Sequence, residues 1–575
     1  MLRTTSIQDV SESQLRAATE ASASDSVPNG AEANDGETTD MQQGQGSFEI
    51  DGTTYPTGLR LALVVLALFA SVFIVAISQT ILATAIPTIT TVFRSYNDIA
   101  WYNAGEQITA VALQLPFGRT YSHFNNKWTF LTSVAVFLLG SAVCGSAPTS
   151  VALIVGRAIQ GVGLAGVFGG SFIIIAHSTP LRKRSLFAGL FGAAYAIASV
   201  VGPIIGGVIT TRASWRWCFY LNLPIGAIVI LVIFFCLPPS VGRTSTEIKK
   251  MNWSQIILLF DPLGTALLLT ALVCLMLALQ WGGGEHPWSS DRVIAVLVVF
   301  GATLLPWMAL QYFQGDDATV PLSLVKQRSV AAANLYLLFL NGSFGIFIFY
   351  LPVWFQTISE DSAESSGLKQ LALSISTALS SIIAGGLVVL MGYYNPFVIL
   401  GSLFVTAGAA LLLNIKTDTG LGVLIGAQIL HGTGVGIGAE QANVAVQTVL
   451  PDVKIARGTT LTLFTRLMGI ALFTPIAQNV LKQELTKSLG KSVVASVYDA
   501  GGVTDMSENL RKIFGSDTSA YQSALNHVNH ALTRTYLLAM ILGAISTLFA
   551  LLVEWKSVKK EKREIEDMKE KKGKE

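Results

Sequence analysis

Long apolar runs, each about the length of a membrane-crossing helix, recur along the whole chain and are separated by short polar segments. A helix that crosses the hydrocarbon core needs about 20 largely apolar residues, within a range near 17–25. Such runs lie near 61–88, 99–118, 128–147, 150–177, 186–210 and 217–237, then near 261–281 and 291–313. Six more follow near 330–355, 368–390, 396–415, 420–450, 459–481 and 535–555. The pattern predicts an all-α polytopic membrane protein with fourteen spans.

The loops fix its orientation, because Lys and Arg favour the cytoplasmic side of short loops. With the N-terminus inside, the inner loops hold Arg119 and Lys127; Arg182, Lys183 and Arg184; Arg243, Lys249 and Lys250; Lys326 and Arg328; and Lys454 and Arg457. The short outer loops hold only Arg94, Arg212, Arg216 and Lys416, and one of them is acidic, with Glu360, Asp361 and Glu364. An odd number of spans would reverse one end of this pattern, so both termini are expected inside.

Composition agrees. Apolar residues make up 51% of the 575 and charged residues 13%, where a soluble domain would carry roughly a quarter charged residues. The net charge of +2 argues neither for nor against a nucleic-acid partner, but the sequence holds no basic stripe interleaved with aromatics, so none is expected. Cys144, Cys218, Cys236 and Cys274 lie in apolar runs without metal-ligand spacing, so no metal and no cofactor is expected. Residues 1–57 are rich in Ser, Thr, Gly, Gln and acids and lack lysine, which predicts a disordered cytoplasmic tail. The charged tail 556–575 falls on the same side, and a long polar segment at 482–530, helical in pattern around 519–531, falls outside. The Asn252-Trp253-Ser254 and Asn341-Gly342-Ser343 triplets fall in an inner loop and a span, so neither is expected to be glycosylated.

Polar residues inside the spans are the functional candidates, since each is costly there. In the second span Asn103, Glu106, Gln107, Ala110 and Gln114 share an arc of roughly 100°. In the twelfth, Thr433, Gly436, Glu440, Asn443 and Gln447 share about 80°. The fourth span carries Arg157 and Gln160 in Leu153-Ile154-Val155-Gly156-Arg157-Ala158-Ile159-Gln160-Gly161-Val162-Gly163. The fifth carries Gly202-Pro203-Ile204-Ile205-Gly206-Gly207, and Ala194, Ala198, Gly202 and Gly206 form a small-residue stripe for close helix contact. Pro203 removes a backbone hydrogen bond and can bend the helix. Arg466, one to two turns into the thirteenth span, is expected to snorkel to the inner interface. His177 and His431 read as interfacial or core residues, and glycines 432, 434, 436 and 438 as packing positions. No G-x-x-x-x-G-K-[ST] loop is present, so ATP is not expected to drive the protein.

These strings together resemble the major facilitator superfamily over roughly residues 60–555, in particular its fourteen-span drug:proton antiporter branch and the fungal toxin-efflux pumps within it. The fourth-span string matches the pattern L-x-x-x-R-x-x-Q-G-x-G, and the fifth-span string matches the antiporter motif of the exporting branches. Trp215-Arg216-Trp217-Cys218-Phe219-Tyr220-Leu221-Asn222-Leu223-Pro224-Ile225-Gly226 is similar to W-R-W-x-F-x-x-N-x-P-x-G. The loop from Gly118 to Lys127 aligns with the superfamily's gating loop, but Ser122 stands where the acid would be. Gly118 and Lys127 remain, for a tight turn and an anchor to anionic lipid. The first span ends Ile77-Ser78-Gln79-Thr80-Ile81-Leu82-Ala83-Thr84-Ala85-Ile86-Pro87, against L-D-x-T-I-x-x-x-A-x-P, so Ser78 replaces an aspartate.

The resemblance implies a major facilitator fold. Its parts would be an N-terminal six-helix bundle at 58–237, an inserted helix pair with flanking loops at 238–329, and a C-terminal bundle at 330–555. It implies a monomer that binds a small-molecule substrate and protons within the lipid bilayer, and exports fungal secondary metabolites or toxins, with drugs as incidental cargo. The plasma membrane is expected before the vacuolar one. Arg157 and Gln160 are implied in proton coupling, and Glu106 is the candidate to take over proton exchange from the acid lost at 78. The alternative is that Glu106 locks the second helix to Arg157. Gln79, Asn103, Gln107, Gln114, Glu440, Asn443 and Gln447 are candidates for the substrate cavity, although the stripe of the twelfth span suits helix packing nearly as well. Other readings are a proton-coupled importer of sugars or siderophores and a non-transporting nutrient sensor. An integral membrane enzyme would need clustered His or paired acids at one membrane face, which are not seen.

Overall fold

The computed structural model describes residues 47–50, 53–56, 58–95, 98–238, 252, 258–282, 286–490, 493–494, 506–514 and 518–559. The apolar runs fold as long helices: α1 (Gly58–Phe93), α2 (Ile99–His123), α3 (Asn126–Ser146), α4 (Ser150–Ser178), α5 (Leu181–Arg212) and α6 (Asn222–Cys236). Then come α7 (Pro262–Trp281), α8 (Asp291–Gln314), α9 (Arg328–Thr357), α10 (Leu371–Met391), α11 (Asn395–Leu411), α12 (Leu421–Val449), α13 (Asp452–Leu489) and α14 (Thr518–Leu552). Among the described residues thirteen helices are long and apolar enough to cross a membrane. α2, with 25 residues, is the long helix outside that set, because Asn103, Glu106, Gln107 and Gln114 dilute its apolar surface. It nonetheless packs between apolar neighbours, as a buried polar stripe requires.

Local chemistry sets the helix ends. The side chain of Asn125 accepts from the Lys127 N–H at the start of α3, and that of Thr149 from the Ala152 N–H at the start of α4. Gly392 ends α10 at φ +86°, a conformation that strains any residue with a Cβ.

α1–α6 form one bundle, with α1 on α5 and α6 and α4 on α2 and α3. α9–α14 form the other, with α9 on α13 and α14 and α12 on α10 and α11. The two meet along α5/α10 and α2/α13. α7 and α8 pack on each other, and α7 also rests on α2 and α13. Leu66, Leu305, Phe313, Leu390 and Leu548 stand exposed on the outer faces. Water-soluble monomers rarely tolerate an apolar belt of that extent, whereas hydrocarbon solvates it. The loop ends at 119–127, 182–184, 326–328 and 454–457, with Lys556 and Lys559, are linked by contacts such as Arg182 Nε to the Val389 carbonyl (2.9 Å) and Arg328 Nε to the Leu552 carbonyl (3.0 Å). This is called the basic side below.

Several helices outrun their apolar runs. α1 extends over 58–93, and α13 continues to Leu489 while α14 begins at Thr518. The outer segment expected at 482–530 therefore shortens to 490–517, with a helix at Met506–Phe514 inside it. An α-helix satisfies its backbone internally, so it can project past the hydrocarbon on polar residues. The tail read as disordered through residue 57 ends in an antiparallel hairpin, Ser47–Ile50 on Thr53–Pro56. Residues 1–46 and 560–575, and Trp253 and Ser254 of the glycosylation triplet, lie outside the described residues.

Candidate functional site: two buried ion pairs and the seam between the bundles

Arg157 and Gln160 are three residues apart on α4 and so share one face. Both are fully buried, and Arg157 forms an ion pair with Glu106 of α2, itself at 0% exposure. The guanidinium uses its whole fork. Nε donates to the Tyr102 carbonyl at 2.9 Å, and one terminal nitrogen reaches the Ser78 hydroxyl at 3.2 Å and Gln160 Oε1 at 3.0 Å. Gln160 Nε2 then donates to Ser141 Oγ at 2.6 Å, to which Asn222 Nδ2 also donates at 3.1 Å. Glu106 Oε1 accepts no hydrogen bond from the described residues. Ser78 thus lies beside Arg157, and the carboxylate that balances the arginine comes from α2 instead of α1. Asn222 of the W-R-W string supports the network from α6, a role its spacing did not reveal. Arg216 of the same string donates to the carbonyls of Gly145 (2.9 Å) and Ala147 (2.8 Å) at the end of α3 and stacks over Trp215.

The second pair is in the other bundle. Glu440 Oε1 accepts from Arg466 at 2.6 Å, with the carboxylate buried and the guanidinium largely so. The sequence predicts that Arg466 snorkels to the inner interface; the structure instead directs its guanidinium to Glu440 on the neighbouring helix. The signal that could have found it is a second buried charge of opposite sign on the neighbouring helix. Three other polar residues of α12 are engaged: Thr462 Oγ1 donates to Asn443 Oδ1 (3.0 Å), Gln447 Nε2 donates to Thr459 (3.2 Å), and Gln441 Oε1 accepts from Ser185 of α5 (2.6 Å). Asn443 and Gln447 thus link α12 to α13 in this conformation.

Glu440 and Arg466 line a cavity of about 30 Å³ between the bundles, with Tyr195 and Ser199 of α5 and Ser374 and Thr377 of α10. That is room for about one water, so in this conformation the bundles are closed on each other. Gln79 is at its edge, accepting from the Tyr195 hydroxyl at 2.5 Å. Asn103 and Gln107 are half-buried on α2. Gln114 is fully buried, with neither amide atom hydrogen-bonded among the described residues, against Gly169 and Thr460.

Glycine makes the closure possible on the basic side. A Cβ on Gly189 would meet the Ser381 carbonyl, and one on Gly385 the Ser185 carbonyl, where α5 crosses α10. Gly118 is within α2, not in a tight turn, and a Cβ there would strike the Thr460 hydroxyl of α13. Gly118→Ala is expected to destabilise the purified protein by about 1–3 kcal/mol through overpacking. Thr460→Ala in the same chain should recover part of it, as read by thermal unfolding. Lys127 binds the Phe234 carbonyl at 2.5 Å and lies over that ring, so its contact is the end of α6 and not lipid alone. Ser122 donates to the Gly118 carbonyl of its own helix.

The Gly202-Pro203-Ile204-Ile205-Gly206-Gly207 string makes its close contact within its own bundle. Cβ atoms on Gly202 and Gly206 would strike Thr80 and Thr84 of α1, inside the same bundle, while Gly207 faces open space. Pro203 is within an unbroken α5. The inter-bundle contact of α5 uses Ser185, Gly189 and Ser199 instead, the last donating to Ser374 at 2.9 Å.

Comparison with known proteins accords with this architecture. The chain is 42% identical over 518 residues to "MFS-type transporter phomT" of Diaporthe leptostromiformis, covering 89% of this chain and 86% of that one. It is 41% identical over 525 residues to "MFS-type efflux pump MFS1" of Trichophyton rubrum, covering 90% and 96%. The solved structure of the proton:xylose symporter XylE bound to 6-bromo-6-deoxy-D-glucose superposes with a TM-score of 0.57 at 13% identity, covering 88% of this chain and 98% of that one, a likeness of fold. The profile of the Major Facilitator Superfamily matches residues 68–474. With its two six-helix bundles, inserted helix pair and buried Arg157 network, this chain belongs to the major facilitator superfamily.

Proposed function

We propose that the protein is a proton-coupled exporter that moves small amphipathic organic molecules, a fungal secondary metabolite or toxin foremost, out across the plasma membrane as a monomer. The observation that carries this reading is Glu106, a buried carboxylate facing one arginine, with an oxygen that accepts no hydrogen bond among the described residues. A proton there cancels the charge that Arg157 balances and leaves the guanidinium to Ser78, Gln160 and the Tyr102 carbonyl. Protonation can therefore favour one arrangement of α1, α2 and α4 over another. Cargo must favour the opposite arrangement, or no coupling arises. The hydroxyl-lined cavity at Glu440 and Arg466 is the place where cargo would act, since α5, α10, α12 and α13 all meet there. The relatives that carry the name efflux pump support export over import.

The test uses inside-out vesicles holding the full chain. An acid interior should drive uptake of a fluorescent amphipathic dye, and dissipating the gradient should stop it. Dye added without a gradient should in turn move protons in the opposite sense. Uptake that persists after the gradient is collapsed would remove proton coupling from the reading, and uptake driven only by the reverse gradient would make the protein an importer.

A further inference from the structure

The helix pair α7/α8 touches both bundles at the basic side, and its acid is placed where the seam opens. Asp261, 4% exposed, caps α7 by accepting from the Gly264 N–H at 3.1 Å. It also accepts from Gln314 Nε2 (3.2 Å) and Thr319 Oγ1 (2.9 Å), at the far end of α8. Its remaining contact is Arg119 of α2, at 3.6 Å. Nε and one terminal nitrogen of that buried arginine have no hydrogen-bond partner among the described residues; Asp261 is its nearest counter-charge, with Asp317 acting on it from further off.

The segment after α8 holds the other bundle. The Asp316 and Ala318 carbonyls accept from Arg457 of α13 at 2.6 and 3.4 Å, and Lys454 pairs with the Asp316 carboxylate at 3.4 Å. Arg457 also lies 3.3 Å from His123 Nε2, at the end of α2. Arg119 of α2 and Arg457 of α13 are near enough to repel, and the acids after α8 offset this, Asp317 acting on both and Asp316 on Arg457. One turn further in, Gly118 touches Thr460. A chain of contacts thus runs from α2 through Asp261, Thr319 and Ala318 to α13, bridging two cations that would otherwise push the helices apart.

We infer that Asp261 is a positioning residue of the transport cycle: the inserted pair works as a charge latch that holds α2 and α13 together on the basic side, and the carboxylate at 261 sets how readily that side opens. This deepens the transporter reading and rests on it for its role in the cycle, but not for its geometry. The latch is reversible because it uses two carboxylates, Asp261 and Asp316, and a few carbonyls instead of an apolar interface. Separation of the bundles need only break the Arg119 or the Arg457 end.

Asn is the informative substitution. It can keep the cap through Oδ1, tolerates the left-handed backbone that Asp261 adopts at φ +48°, and puts an uncharged amide, which neither accepts from Thr319 nor pairs with Arg119, where Oδ2 stands. The reporter is Thr460→Cys, buried in the wild type, in a full-length chain whose four native cysteines are Ser. Its labelling by a membrane-impermeant maleimide is followed in inside-out vesicles without cargo or gradient. Asp261→Asn should raise the labelling rate roughly tenfold, which corresponds to a population shift of about 1.4 kcal/mol. Arg119→Gln should do the same, the double variant should do no more than either, and Arg119→Lys should stay near wild type. Wild-type labelling in Asp261→Asn, or effects that multiply in the double variant, would overturn the latch. Should Asp261→Asn accumulate poorly, Thr319→Val carries the same expectation at about threefold, and unchanged labelling there counts equally against it. Because no export is measured, failure of the export reading leaves this outcome untouched. An exporter in which Asp261→Asn labels like wild type sinks only the latch.

Discussion

Arg157→Ala is expected to destabilise the protein by about 3–5 kcal/mol, because it leaves the Glu106 carboxylate buried without its counter-charge. The loss also strips the Tyr102 carbonyl, the Ser78 hydroxyl and Gln160 Oε1 of a donor. Arg157→Lys keeps the charge but not the planar fork, so it cannot serve α1, α2 and Gln160 together and should fall between Ala and wild type. Adding Glu106→Gln to Arg157→Ala should recover part of the stability, since the uncompensated charge is gone. Thermal unfolding of the detergent-solubilised protein, followed through its tryptophans, reads all four chains. Equal stability for wild type and Arg157→Ala would mean that the pair contributes nothing to holding α2 on α4.

This site was largely legible in the sequence, because a buried charge announces itself inside an apolar run. Arg157 and Gln160 stand in one string on one helix face, and Glu106 stands on the polar stripe that kept α2 out of the apolar set. The partner could be inferred from charge alone, since an unpaired arginine at that depth is costly. Arg466 carried the same signal, yet its run was read as starting at 459, which left it near an interface. α13 in fact starts at Asp452 and is 38 residues long, about 57 Å against a hydrocarbon core of about 30 Å. Hydropathy marks where a helix meets lipid and not where it ends, and neither reading names the acid on another helix, Glu440, that the arginine pairs with. The latch was hidden for a different reason. Arg119, Asp261 and Arg457 belong to three helices distant in sequence, each at a loop where a single charge looks solvated, and only their docking brings them together. The glycine string of α5 reads in the sequence as a close-contact surface, but its partner, α1, does not. A small-residue stripe records that a helix is near without recording which one.

Glu106→Gln should abolish the accumulation of dye driven by a pH gradient while leaving dye exchange without a gradient in place. The amide keeps the shape of the side chain and can still meet Arg157, but it cannot take up a proton. The bundles could then still rock around cargo, with nothing to make one direction preferred. Coupling free energies of about 1–3 kcal/mol correspond to about 5–150-fold, so the loss of driven accumulation should lie in that range. The sharper arm moves the acid back to α1. The Ser78 hydroxyl is 3.2 Å from Arg157, so an aspartate at 78 would place its carboxylate against the same guanidinium. Ser78→Asp with Glu106→Gln should therefore regain a measurable part of gradient-driven accumulation, whereas Ser78→Asp alone would crowd two acids onto one arginine and impair it. Rescue would show that the network needs one proton-accepting carboxylate at Arg157 and is indifferent to which helix supplies it. Normal gradient-driven accumulation by Glu106→Gln alone would place the proton elsewhere, and Glu440, paired with Arg466 at the seam, would be the next carboxylate to replace.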